Sequence, residues 1–92
     1  MAFSKDTIRL VVQFKDFNGI SIVPQDIKLV IYDTKKEILE TITTNIIQES
    51  GSFYHDYETP DKDFIFEYSG FFNMKKVLAR QKVMVKFTKG ED

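Results

Sequence analysis

Apolar residues recur at every second position through most of this chain. That is the period of a strand with one face buried. Ile8, Leu10, Val12 and Phe14 alternate with Arg9, Val11, Gln13 and Lys15. Between Asp26 and Asp33, Ile27, Leu29 and Ile31 take one face and Lys28, Val30 and Tyr32 the other. Phe53, His55 and Tyr57 stand against Tyr54 and Asp56, and Phe64, Phe66 and Tyr68 point inward against Ile65 and Glu67. In the last segment, 77–87, Val83, Val85 and Phe87 share a face. The β-branched and aromatic content agrees with this pattern. No segment has the spacing of a long amphipathic helix, so the chain reads as all-β.

Turn chemistry divides these runs. Asp16-Phe17-Asn18-Gly19 carries the Asn-Gly turn signal. Residues 20–23 read as a short edge strand stopped by Pro24. Asp33-Thr34-Lys35-Lys36 is a polar turn. Residues 37–43 read as a third strand. A helical turn competes there because 35–40 holds good helix formers, but Thr41 to Thr44 favour strand. Residues 45–50 stay ambiguous, and Gly51 punctuates them. Thr59-Pro60-Asp61-Lys62 is a tight turn, Gly70 marks a bulge or bend, and 71–76 form a hairpin tip. Residues 89–92 are a polar tail. About seven short strands with turn signals every 8–12 residues suit a β-sandwich or small barrel. At 92 residues, a single domain spanning 1–92 is expected.

Composition narrows the chemistry. The chain is 42% hydrophobic and 29% charged, as a globular domain is. Its nine Phe and four Tyr supply much of the apolar surface of a small core. There is no Cys, which removes disulfides, thiolate nucleophiles and cysteine-based metal sites. A formal net charge of −1 gives no global pull toward nucleic acid or anionic membrane. No apolar run approaches the roughly 20 residues of a membrane-spanning helix. The N-terminus, Met1-Ala2-Phe3-Ser4-Lys5-Asp6, has no signal-peptide core. The expectation is a complete small gene product with no signal peptide, with an excised module as the alternative.

Catalytic arrangements find little support. The single His, His55, would have to serve any Ser-His-Asp arrangement, and no nucleophile motif surrounds it. Asp56 and Glu58 share a face at strand spacing, a conceivable glycosidase pair, but a solvated face with an Asp-led turn explains them more simply. Asp61-Lys62-Asp63 lacks the Gly and terminal Glu of an EF-hand loop. Gly19, Gly51, Gly70 and Gly90 are isolated, so there is no phosphate-binding loop. No enzyme, cofactor or metal centre is expected. Lys75, Lys76, Arg80, Lys82, Lys86 and Lys89 include no acid among them. With Phe71, Phe72 and Phe87 nearby, they suggest a single-stranded nucleic-acid surface. Cross-strand pairing with the acidic strand 63–69 is the simpler account, with Glu67 facing Lys82 or Lys86.

The adjacent Phe71 and Phe72 must point to opposite faces of a strand, which leaves one of them exposed. Beside Met74, Lys75 and Lys76 this has the make-up of a contact patch. The alternative is a curled hairpin that buries both rings. Phe17 in the first loop has the same status. The candidate contact surface is therefore Phe71, Phe72, Asn73, Met74, Lys75 and Lys76, with Phe17.

The order of features carries a likeness. A first strand (Ile8 to Phe14) leads to Asp16-Phe17-Asn18-Gly19. Then come Asp26-Ile27-Lys28-Leu29-Val30-Ile31-Tyr32-Asp33, Gly51-Ser52-Phe53-Tyr54-His55-Asp56-Tyr57, Pro60, Phe66-Glu67-Tyr68-Ser69-Gly70, and Ala79-Arg80 through Phe87. This resembles the small immunoglobulin-like or fibronectin-III-like β-sandwich proteins encoded in structural gene clusters of Gram-positive tailed phages and prophages. The likeness covers nearly the whole chain through short motifs. It departs from the family pattern at Asn73-Met74, where Asn-Gly is the commoner turn. It implies an immunoglobulin-like β-sandwich of about seven antiparallel strands, acting as a virion or assembly component at the head–tail joint, tail or capsid surface. It also implies protein partners, including other copies in a homo-oligomer, with no membrane partner and no cofactor. The location would be the virion, or the host cytoplasm during assembly. Edges and end loops of an open sandwich suit lateral contact. Two rival readings are a carbohydrate- or surface-binding module stacking sugars on Tyr54 or Tyr32, which the absence of Trp disfavours, and a nucleic-acid binder using the basic C-terminal strand.

Overall fold

The computed structural model describes residues 2–86, which form strands and turns with no helix among them. In chain order the strands are β1 (Ala2–Phe3), β2 (Thr7–Val12), β3 (Phe14–Lys15), β4 (Ser21–Ile22), β5 (Gln25–Tyr32), β6 (Ile38–Ile42), β7 (Ile47–Glu49), β8 (Ser52–Glu58), β9 (Phe64–Phe72), β10 (Lys75–Val83) and β11 (Val85–Lys86). Antiparallel pairing builds a four-stranded sheet in the order β10-β9-β5-β6 and a three-stranded sheet in the order β2-β8-β7. β3 and β4 form a small hairpin, and β1 lies parallel to β11.

The alternation read from the sequence becomes the core. Leu10 and Val12 from β2 and Phe53 from β8 meet Leu29 and Ile31 from β5 and Phe64, Phe66 and Tyr68 from β9 in one buried cluster. Phe14 and Ile22 bring the small hairpin into the same cluster. Its rings meet edge to face: Tyr57 on Phe64 at 5.4 Å, Phe66 on Tyr68 at 5.9 Å and Phe14 on Phe53 at 6.3 Å between centroids. Burying each such side chain is worth about 1.5–3 kcal/mol, and edge-to-face contact adds about 0.5–1.5 kcal/mol per pair. The four-stranded and three-stranded sheets together hold seven strands: six of the expected ones, with β7 in place of the expected 20–23, which lies in the small hairpin.

Several elements differ from expectation. The ambiguous segment 45–50 supplies β7, whose three residues are all exposed and so show no alternation of burial. The segment 20–23 contributes only the two residues of β4, and Phe14 leaves β2 to pair with Ile22. The last strand is broken at Met84 into β10 and β11. Phe87, Lys89 and Gly90 lie outside the described residues. The irregularity expected at Gly70 sits instead on the partner strand, where the β5–β9 register shifts between Gln25 and Lys28. Asp26 there has φ +55°. Gly70 makes room for it: a Cβ at this position would lie 2.8 Å from Ile27 Cδ1 and 2.9 Å from both the Gln25 carbonyl oxygen and Pro24 Cβ.

Glu67 points outward as expected, yet it is only 5% exposed. The expected partners Lys82 and Lys86 do not face it. Lys82 stands opposite Ile65 and Lys86 pairs with Phe3, while the register places Arg80 opposite Glu67. Arg80 Nε donates to Glu67 Oε2 at 2.8 Å and Nη2 donates to the same oxygen. The Tyr32 hydroxyl donates to Oε1 at 3.4 Å. On β5 the neighbouring Val30 is opposite Glu67 and also buried, so this part of the outer face is covered by its own side chains.

Candidate contact surface at the loop end

Strand directions put the β3–β4 loop and the β9–β10 hairpin tip at the same end of the molecule. The loop is fixed by Asp16, whose carboxylate accepts hydrogen bonds from the N–H of Asn18 at 2.8 Å and of Ile20 at 3.0 Å. The Gly19 N–H closes the turn on the Asp16 carbonyl at 3.0 Å, and Gly19 takes φ +76°. Asp33 builds a similar turn at the other end, accepting from the N–H of Lys35 and Glu37. With its backbone tied down, the first loop projects Phe17, 109% exposed, and Ile20 into solvent.

In the β9–β10 hairpin, Phe72 pairs with Lys75, leaving Asn73-Met74 as a two-residue turn. Both take positive φ, +52° and +65°. That is the geometry whose twist matches paired strands, and it is usually filled by Asn-Gly. Asn73 suits it, whereas Met74 adopts a conformation that L side chains rarely take. Met74 is 98% exposed. Phe71 and Phe72 do point to opposite faces: Phe71 is half exposed, while Phe72 packs against the core cluster.

Two depressions join these pieces. One, of about 440 Å³, lies between the loop and the hairpin and is lined by Lys15, Asp16, Phe17, Ile22, Phe72, Asn73, Lys75 and Val77. The other, of about 610 Å³, is lined by Val23, Gln25, Phe71, Phe72, Asn73 and Met74. The structure therefore brings Phe17 together with Phe71, Phe72, Asn73, Met74 and Lys75. Lys76 lines neither depression; it stands on β10 opposite Phe71. Ile20 and Val23 also belong to this exposed apolar end and were missed in the sequence. Their signal was an apolar run too short for a full strand and ended by Pro24. Lys15, Lys75 and Lys76 border the patch, and Asp16, which lines one depression, is engaged with backbone N–H groups.

Elsewhere, several of the polar side chains weighed for chemistry are engaged in local structure. His55 Nδ1 lies 3.0 Å from the Asn45 carbonyl oxygen. Asp61 accepts from the Ser4 hydroxyl at 2.7 Å and Asp63 from the Val85 N–H at 2.8 Å. Arg9 makes a two-point pair with Asp56, Nε to Oδ1 at 2.9 Å and Nη2 to Oδ2 at 3.2 Å. That hydrogen bonding holds the Asp56 carboxyl below and the Arg9 guanidinium above their usual ranges. The same guanidinium sits 3.9 Å over the Tyr54 ring and covers one of its faces. Tyr32 lines a depression of about 280 Å³ on the outer face with Lys36, Ile65 and Arg80. Among the described residues no group of three or more His, Asp or Glu is placed to hold a metal ion, and no helix is long and apolar enough to cross a membrane.

No protein-family model, curated protein or solved structure matches this chain.

Proposed function

We propose that this chain is a non-enzymatic, immunoglobulin-like β-sandwich that works by protein–protein contact, as a virion or assembly component of a tailed phage or prophage. The strand order supports the fold reading. With β2, β5 to β10 taken as the seven strands, the first, fifth and fourth form one layer, and the seventh, sixth, second and third form the other. This order is the one expected of an immunoglobulin-like sandwich, B-E-D beside G-F-C with an added C′ strand, and it supports that reading. The location that goes with this reading is the particle, or the host cytoplasm during assembly, with phage structural proteins and further copies of the chain as partners.

The observation that carries the contact role is the exposure of Phe17 and Met74 on turns whose backbones are fixed. Large apolar side chains on an ordered surface, bordered by lysines, are the make-up of an interaction site. The test is co-purification of the tagged chain with phage head, tail and capsid proteins. A Phe17→Ser, Phe71→Ser, Met74→Ser variant should lose the partner while keeping its circular dichroism. Phe72 is left intact because it packs on the core. Equal capture by variant and wild type rejects the assignment.

A further inference from the structure

The outer face of the four-stranded sheet collects positive charge. The register puts Lys76, Arg80 and Lys82 of β10 and Lys28 of β5 on the same side as Glu67, away from the core. All four cations are exposed. Glu67 is the one carboxylate at a paired outward position of this sheet. Cross-strand pairing does not use up the cations, because Glu67 takes Arg80 alone. Among the described residues the ion pairs are Arg9–Asp56 and Glu67–Arg80, which leaves the three lysines without a carboxylate partner. The outer face of the three-stranded sheet has the opposite balance: Glu49, Asp56 and Glu58 stand there against Arg9. A chain of net charge −1 is thus divided into a basic and an acidic side.

The cations are spread along the face. Outward side chains on β10 are about 6.6–6.8 Å apart, so Lys76 and Lys82 are separated by about 20 Å, and Lys28 lies two strands away, about 9.5 Å to the side. Such a row matches a chain of charges better than one small anion. At one end the row meets an aromatic ring. Tyr32, Lys36 and Arg80 line the outer-face depression of about 280 Å³ together with Ile65. In the register, Tyr32 and Lys82 stand on either side of Ile65.

We propose that this face binds single-stranded nucleic acid. Phosphates follow the lysines, and a base stacks on the Tyr32 ring in the depression, the combination that sequence-independent single-strand binding uses. A duplex suits the face less well, because its bases are stacked on one another and do not reach a ring on an open sheet. An anionic bilayer also suits it less well: the most projecting apolar side chains, Phe17 and Met74, stand at the loop end and not on this face. The face shares only Phe71 and Lys76 with the loop-end contact surface, so the two roles are separable.

The probe is a labelled oligodeoxythymidylate of about 15 nucleotides, mixed with the full chain and followed by fluorescence anisotropy across a salt series. The logarithm of the affinity should fall against the logarithm of the salt concentration with a slope of about −2 to −3, as three or four phosphate contacts give. Lys28→Glu with Lys82→Glu should weaken binding about tenfold or more and flatten the slope by about 1 or more, with the circular dichroism kept. Tyr32→Leu should weaken binding about fivefold or more at unchanged slope. An abasic strand of the same length should bind more weakly than the oligonucleotide and be indifferent to Tyr32→Leu. Phe17→Ser with Met74→Ser should leave binding intact; a loss there would move the site to the loop end and overturn the proposal. No saturable binding at low salt, equal binding by wild type and the double lysine variant, or an abasic strand bound as tightly as the oligonucleotide overturns it too. So does a salt-sensitive self-association in light scattering that the double lysine variant abolishes, which would make the occupant the acidic face of a second copy.

Discussion

The Tyr68 hydroxyl donates a hydrogen bond to the Leu10 carbonyl at 2.5 Å. Tyr68 belongs to β9 and Leu10 to β2, so one bond spans the core and ties the two larger sheets together. Both residues are fully or nearly fully buried. The carbonyl has a second lone pair for this bond besides the one its ladder partner uses.

Tyr68→Phe keeps the ring and removes the tie. The expected loss is about 1 kcal/mol, or a melting temperature lower by about 4–8 °C for a domain of this size, read by thermal unfolding. The same hydroxyl sets an alkaline limit. Burial, and after it the charge of Asp56, pushes Tyr68 up to about 12. A group raised in the folded state stabilises it fully below the ordinary tyrosine value near 10. That contribution is lost as pH rises from about 10 toward 12. In a titration followed at 295 nm, Tyr68 should ionise late and together with the loss of circular dichroism. Ionisation with the exposed phenols while the fold persists would contradict this.

The Glu67–Arg80 pair predicts an asymmetry. Arg80→Met leaves a buried carboxylate without its cation and should cost about 1–3 kcal/mol. The value is below that of a fully buried pair because the Arg80 side chain is 57% exposed. Adding Glu67→Met should recover most of the loss, since the outer face beside Val30 then becomes apolar throughout. Urea unfolding of the wild type, both single variants and the double variant measures the coupling.

Met74→Gly should stabilise the fold and weaken the contact. Glycine relieves the positive φ of Met74 at some entropic cost, for a net gain of about 0.5–1 kcal/mol. The gain is read as a higher urea midpoint at unchanged slope. Partner capture should fall, because the most projecting side chain of the hairpin is gone.

Gly70→Ala should cost about 1–3 kcal/mol. One of the three atoms its Cβ would meet is the Gln25 carbonyl oxygen, a backbone atom that cannot rotate away. Trimming Ile27 to Ala beside it should therefore fail to restore stability.

Much of the core could be read from period-two alternation. Leu10, Leu29, Ile31, Phe64, Phe66 and Tyr68 are inward at the positions that pattern assigns, because one buried face imposes that period on a strand. Glu67 escaped the reading because its burial depends on Arg80 and Tyr32, which arrive from two other strands. β7 escaped because an edge strand with every residue exposed has no alternation to detect. At the candidate surface the hairpin tip within 71–76 was legible locally, while the sequence left open whether one of Phe71 and Phe72 is exposed or both are buried. The meeting of Phe17 with Phe72 was not legible, since it depends on two loops converging across the fold.

The parallel pairing of β1 with β11 has a consequence for tethering. Ala2 and Phe3 lie beside Val85 and Lys86, and the bond from the Ser4 N–H to the Lys86 carbonyl keeps them there. This is the end opposite Phe17 and Met74. A domain joined to a larger body through either of these strands would hold its projecting loops away from the anchor, along the longest dimension of about 43 Å. Linking the two neighbouring strands by a short peptide and opening the chain at an exposed turn elsewhere would leave that orientation intact.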